Sequence, residues 1–415
     1  MSKAATDRAI RTVWQIESAK LIAGLTRLVR DVGLAEELAQ DALVAALEHW
    51  PVHGVPDQPG AWLMAVAKNR GRNQLRRAKL FDEKQRALGL PEPALPDVER
   101  ALDEDIGDDL LRLVFIACHP LLAPEARVAL TLRLLCGLTT EEIARAFLVA
   151  EPTIAQRIVR AKRALSDAQV PFELPHGEAR AQRLASVLEV IYLVFNEGYA
   201  ATAGQDAMRP ALVEEALRLG RVLAGLTPEE PEVHGLVALM ELHASRMAAR
   251  TNEQGEPVLL LEQQRSRWDL VLIGRGLSAL ARAEALGGPP GRYTLQAAIS
   301  ACHARARSAE DTDWPRIAAL YGALFARIPS PIVALNRAVA VGMAEGPAAG
   351  LVLLDALAEE PQLERYHLLP AARGDLLQKL ARFAEAEAAF ARAAELAHNE
   401  RERAQLLARG HACRR

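Results

Sequence analysis

The stretch TTEEIARAFLVAEPTIAQRIVRAKRAL, Thr139 to Leu165, constrains the fold more tightly than any other part of the chain. Thr139 and Glu142 have the spacing of a capping box, in which two side chains reciprocally satisfy the free donors of a first helical turn. Ile143 and Phe147 follow at helical spacing and point inward. Leu148, Val149 and Ala150 make the turn. Pro152 suits the first position of a second helix, where its missing N–H costs no hydrogen bond. On that helix Ile154, Ile158, Ala161 and Leu165 form an apolar face, while Thr153, Gln156, Arg157 and Arg160 occupy a separate one, extended by Arg163. A helix-turn-helix anchored in this way leaves its polar face free. Arg pairs with guanine and Gln with adenine through two parallel hydrogen bonds, so the face suits base edges in a major groove. A solvated basic helix end has the same composition.

Composition extends the helical reading to the whole chain. Half of the 415 residues are apolar, only 4% are aromatic, and Ala, Leu, Arg and Glu abound. Ala and straight-chain residues lose little entropy in a helix. No run of alternating β-branched residues stands out, so the expected class is all-α.

The formal net charge of −3 hides a segregation of charge. Residues 61–79, AWLMAVAKNRGRNQLRRAK, carry six Lys or Arg and no acid. Lys68, Arg72, Arg76 and Lys79 fall along one helical stripe, with Asn69, Asn73 and Arg77 beside it and Trp62, Leu63 and Val66 as an apolar anchor. Cations in a row suit phosphates, and the two Asn suit an exposed base. A helix facing acidic protein would look similar. Residues 82–109 reverse the sign, with ten acids against Lys84, Arg86 and Arg100.

These features divide the chain into a first helical domain over 8–80, an acidic linker over 81–107 and a second helical domain over 108–170. A helical extension then covers 178–415. In the first domain, Leu21, Leu25 and Leu28 start an apolar stripe and Leu34 to Trp50 forms an amphipathic helix. Pro51, Gly54, Pro56, Pro59 and Gly60 break the chain before the basic helix. In the extension, aligning Ala338 with Gly374 also aligns Val341 with Leu377, Gly350 with Ala386 and Leu354 with Phe390. That period is close to the roughly 34 residues of tetratricopeptide repeats, and stacked pairs would offer a concave surface to a protein or peptide. An irregular helical bundle is the other reading, since the repeat's usual Trp is absent.

Cys118, Cys136, Cys302 and Cys413 show no C-x-x-C pairing. Adjacent Cys-His positions at 118–119 and 302–303 point apart on a helix, so no metal site is expected. No Gly-rich phosphate loop or nucleophile–base signature argues for an enzyme, and no cofactor is expected. With no signal peptide and no membrane-length apolar run, the expected compartment is a reduced cytoplasm.

Three ordered segments resemble the sigma-70 family of RNA polymerase sigma factors, of the extracytoplasmic-function type. ELAQDALVAALEHW, Glu37 to Trp50, resembles the segment that holds the polymerase clamp, with Leu38, Gln40, Asp41, Leu43 and Trp50 in its pattern. AWLMAVAKNRGRNQLRR resembles the helix that opens and reads the −10 element, which implies DNA-binding roles for Lys68, Asn69, Arg72, Asn73, Arg76 and Arg77. The family commonly has Asp where this chain has Asn73. Asp109 to Leu165 resembles the domain reading the −35 element through Thr153, Gln156, Arg157 and Arg160. The resemblance implies core RNA polymerase and promoter DNA as partners. YLVFNEGY, Tyr192 to Tyr199, and the stretch from Ser330 resemble a sub-branch whose tetratricopeptide-like extension controls activity. A free-standing helix-turn-helix regulator with a repeat sensor, and a repeat adaptor with no DNA affinity, are the readings from other classes.

Overall fold

Each regular element of the computed structural model is helical, with no strand among the described residues 3–86, 106–147, 149–199, 208–252, 258–397 and 400–413. The chain divides into two compact units, residues 1–226 and 227–415.

The first unit opens with α1 (Lys3–Val29), α2 (Val32–His53) and α3 (Pro59–Arg86). The Arg30 N–H closes α1 on the Thr26 carbonyl at 2.8 Å, and the Asp31 carboxylate starts α2 by accepting from the Leu34 N–H at 2.8 Å. Leu21, Ile22, Leu25, Leu38, Trp50 and Leu63 are buried together. Pro51 does not end α2 as its sequence suggests. It forfeits one main-chain bond near the helix end, and the turn runs on to His53, where Gly54 at φ 86° donates to the Trp50 carbonyl. Likewise α3 continues past Lys79 to Arg86, because Glu83, Lys84, Gln85 and Arg86 are good helix formers. The expected linker therefore begins as helix, and its residues 87–105 lie outside the described ones.

The unit continues with α4 (Ile106–Ala117), α5 (Pro124–Leu135), α6 (Thr140–Phe147), α7 (Glu151–Asp167), α8 (Gly177–Tyr199) and α9 (Pro210–Leu226). Leu113, Phe115, Leu130, Leu132, Leu134 and Ile143 form the centre. Between α5 and α6, Gly137 takes φ 67°, a left-handed conformation that glycine adopts at no steric cost, and a Cβ there would lie 3.0 Å from the Ser18 hydroxyl of α1. Helices α8 and α9 pack on α4 and α5 and bury Val187, Ile191, Val194, Phe195, Leu212 and Val213. The Ser186 hydroxyl donates to the Cys118 carbonyl at 2.6 Å, and Arg218 donates to the Leu135 carbonyl at 2.7 Å. The first 49 residues of the expected extension, 178–226, thus belong to the same compact unit as the helix-turn-helix.

In the second unit α10 (Pro231–Ala244), α11 (Leu270–Ala285), α12 (Arg292–Arg305), α13 (Trp314–Arg327), α14 (Pro331–Ala344), α15 (Pro347–Asp355), α16 (Leu368–Lys379), α17 (Phe383–Leu396) and α18 (Glu400–Ala412) each pack on the next. Close crossings use small residues. A Cβ on Gly350 would meet Gly342 Cα at 2.6 Å, and one on Gly374 would meet the Phe390 ring at 2.8 Å. Trp268 is buried with the Arg265 guanidinium 4.2 Å from its ring centre. His303 is buried nearby, and burial, then Arg246 and Arg265, push its pKa down to about 4. All four cysteines are free and buried, and burial pushes the Cys118 thiol up to about 12. Among the described residues no group of three His, Cys, Asp or Glu could hold a metal ion, and no helix is long and apolar enough to cross a membrane.

Candidate nucleic-acid interface and its neighbours

The helix-turn-helix is built as its sequence dictates. The Glu142 carboxylate accepts from the Thr139 N–H at 2.8 Å, and the Thr139 hydroxyl accepts from the Glu142 N–H at 3.1 Å. Ile154, Ile158, Ala161 and Leu165 are all buried, holding α7 on its partners. Pro152 occupies the second helical position rather than the first, with Ala150 as the residue before the helix. Opposite the buried face, Thr153, Gln156 and Arg160 are exposed and Arg157 is half-buried. Arg163 lies 3.4 Å from Asp167, and both side chains are largely exposed, so the pair adds only a few tenths of a kcal/mol and leaves Arg163 available. Arg157 also borders a small cleft, of ≈ 230 Å³, shared with Phe147, Leu193 and Glu197. Glu197 forms an ion pair with Arg209. Leu148 lies outside the described residues.

On α3, Asn69 and Arg72 are exposed and Lys68 is half-buried. Burial, then the Arg27 and Arg72 charges, lower the Lys68 pKa. The side chains of Asn73, Arg76 and Arg77 lie outside the described residues. Arg70 turns away from this set: it donates to the Asp41 main-chain carbonyl at 2.9 Å and stands 3.4 Å from its carboxylate, tying α3 to α2.

Helix α2 separates the residues expected to grip the polymerase. Leu38 and Trp50 are each 1% exposed, and Trp50 meets Trp62 edge to face at 5.5 Å. In this structure they hold α2 in place and present no surface. Leu43 is half-buried, and the half-buried Gln40 amide donates to Glu36 at 2.6 Å. The open face consists of Glu37, Asp41, Val44, Leu47 and Glu48, with Val44 and Leu47 about half exposed. Val44 and Leu47 thus place two large apolar side chains in water one turn apart on a charged helix.

A seam joins this helix to the helix-turn-helix. Glu36, on α2, is 4% exposed and accepts from Arg133 Nε at 2.6 Å, and it also pairs with Lys162 of α7. The Ser166 hydroxyl of α7 donates to the Asp31 carboxylate at 3.2 Å. Further along, the buried Asp109 lies 3.3 Å from Arg27 of α1 and accepts from Arg112 at 2.8 Å. Apart from the local Asp109–Arg112 pair, each of these contacts joins residues far apart in sequence, so spacing alone does not reveal it.

The first helical body carries a basic helix and the second a helix-turn-helix, two element types that suit nucleic acid. Comparison with known families agrees: residues 17–81 match sigma-70 region 2 and residues 112–165 match sigma-70 region 4. Residues 183–284 match a family of unknown function, DUF6596. An ECF RNA polymerase sigma factor, SigL of Mycobacterium tuberculosis, is 31% identical over 166 residues, which are 39% of this chain and 89% of the relative. A probable ECF RNA polymerase sigma factor, SigI of the same organism, is 24% identical over 51% of this chain and 74% of the relative. An uncharacterized protein, R00370 of Rhizobium meliloti, is 44% identical over 92% of this chain and 90% of its own length. No solved structure matches. The chain belongs to the extracytoplasmic-function type of sigma-70 RNA polymerase sigma factors. Membership implies core RNA polymerase and promoter DNA as partners, with the chemistry of transcription left to the polymerase.

Proposed function

We propose that the chain docks on the polymerase through the exposed α2 face around Asp41, Val44 and Leu47. The single observation behind this is the pair of exposed apolar side chains on that helix. In this reading Lys68, Asn69 and Arg72, with Asn73, Arg76 and Arg77 beyond them, take the melted −10 strand by backbone charge and base contact. Thr153, Gln156, Arg157, Arg160 and Arg163 read −35 in the major groove. The acidic linker threads towards the polymerase's cationic nucleic-acid channel, where its carboxylates resemble a transcript.

The proposal requires unit 1 to open. The −10 and −35 elements lie about 25 base pairs apart, roughly 85 Å along B-DNA. Glu36 and Lys162 are in contact, so the regions that carry them stand too close to occupy both elements at once. The compact arrangement is then the free form. The C-terminal region controls activity through α8 and α9, which brace region 4, and the later helices stack as tetratricopeptide-type pairs offering a surface to a protein or peptide. The close crossings of Gly350 on Ala338 and Gly342, and of Gly374 on Phe390, each within one helix pair, support that stacking.

Capture of core RNA polymerase by the intact chain tests the reading. Stoichiometric capture is expected, weakened at least tenfold by Val44→Glu with Leu47→Glu. A chain that fails to bind core polymerase at all would sink the proposal. Arg160→Ala is expected to cost about 1–3 kcal/mol in promoter affinity and to relax base preference at −35 alone. Binding measured across a set of −35 variants checks this, and a uniform loss over all of them would mean that Arg160 touches only phosphate.

A further inference from the structure

Val159 breaks the pattern of the exposed face of α7. It is 64% exposed, while Ile154, Ile158, Ala161 and Leu165 hold the helix down on the other side. At about 100° per residue, Gln156 and Arg163 point most directly away from that buried face. Val159 and Arg160 flank this outward direction at about 50° on either side, whereas Arg157 lies about 110° from it. Val159 therefore stands nearer the middle of the open face than Arg157 does. The seam with region 2 leaves it in water, since Lys162 and Ser166, further along the helix, are the residues that reach Glu36 and Asp31.

A single exposed valine on an ordinary surface needs no explanation. Here it is set between Gln156 and Arg160, on a face that a major groove would enclose. The groove edges of the bases offer polar donors and acceptors and one apolar group, the C5-methyl of thymine. Val159 has neither donor nor acceptor, so the polar edges of guanine, adenine or cytosine set against it would lose water without a replacement bond. The thymine methyl has no such bond to lose, and its contact with valine removes apolar area from water on both sides.

We infer that Val159 is a specificity-determining residue of the −35 contact, selecting thymine at one position through its methyl group. The inference rests on the reading of α7 as the −35 helix. It adds an apolar contact of a kind that the Gln and Arg hydrogen bonds do not supply.

The test uses the full chain with core RNA polymerase, on a promoter duplex that this complex selects from a random pool. Each −35 thymine is replaced in turn by 2′-deoxyuridine, which removes the methyl and nothing else. At one position the replacement is expected to weaken binding about fourfold, the equivalent of one buried methyl group. Val159→Ala should abolish this step and bind the thymine and deoxyuridine duplexes equally. Arg160→Ala should weaken binding to both duplexes and keep the fourfold step between them. Both side chains are exposed, so neither variant threatens the fold. A selected −35 element without thymine, or a flat deoxyuridine scan while Arg160→Ala weakens binding, overturns the inference and leaves the reading of α7 standing. If neither Arg160→Ala nor Val159→Ala alters binding at −35, both fall. A deoxyuridine loss that persists in Val159→Ala also overturns the inference, since the methyl then meets another group. So does weaker capture of core polymerase by Val159→Ala without DNA, because Val159 then faces protein.

Discussion

Glu36→Gln is expected to shift the free chain from the compact to the open arrangement. The carboxylate lies in the seam, bonded to Arg133 and Lys162, whose side chains are 21% and 22% exposed. Removing the anion leaves two partly buried cations facing each other. Breaking a fully buried pair costs about 3–5 kcal/mol. Partial solvent access at both cations reduces this to about 2 kcal/mol, or roughly 30-fold in the closed-to-open ratio. Dyes attached at Val52→Cys and Leu121→Cys would measure it, because both positions are exposed while the four native cysteines are buried. The variant should enlarge the low-transfer population and tighten polymerase binding, since a binding-competent form that is only partly populated weakens the apparent affinity in proportion. Lys162→Met should act in the same direction, and the two together should do less than the sum of their separate effects. An unchanged transfer distribution in Glu36→Gln would mean that these ion pairs do not hold the seam.

The helix-turn-helix was legible because each of its determinants is local. Thr139 and Glu142 are three residues apart, and the apolar positions of α7 follow from helical period alone, so Ile154, Ile158, Ala161 and Leu165 are buried where their spacing puts them. The α2 face was harder to read. Leu38 and Trp50 are in the family pattern, but a pattern does not say whether a residue meets a partner or a core, and both meet the core. Glu36 sits one turn from Val32 and from Ala39, on the side of α2 that is buried. An acid on an apolar stripe implies a buried cation, yet nothing in the sequence says that Arg133, 97 residues away, supplies it.

The second large effect follows from where the chain divides into compact units, after Leu226. Pro171 and Pro175 mark a break in helix, and a break reads as a domain end. Helix formation is local, whereas a compact unit is set by which apolar faces meet. A chain ending at residue 176 is expected to fold poorly, whereas one ending at Leu226 is expected to remain folded. The shorter chain lacks α8 and α9, whose buried Val187, Leu188, Ile191, Val194, Phe195, Leu212 and Val213 cover α4 and α5. Each such side chain is worth roughly 1.5–3 kcal/mol when fully buried, so their combined loss is comparable to the roughly 5–15 kcal/mol that typically holds a domain together. The Cys118 and Leu135 carbonyls would lose the donors supplied by Ser186 and Arg218 as well. Thermal melting followed by circular dichroism, with binding of a dye for exposed apolar surface, compares the two truncations directly. A cooperative melt for the chain ending at 176, at the temperature of the chain ending at 226, would show that region 4 stands without the extension. If the expected difference is found, activity lost on cutting at 176 reports a damaged region 4, and only the cut at 226 isolates what the remaining helices contribute to control.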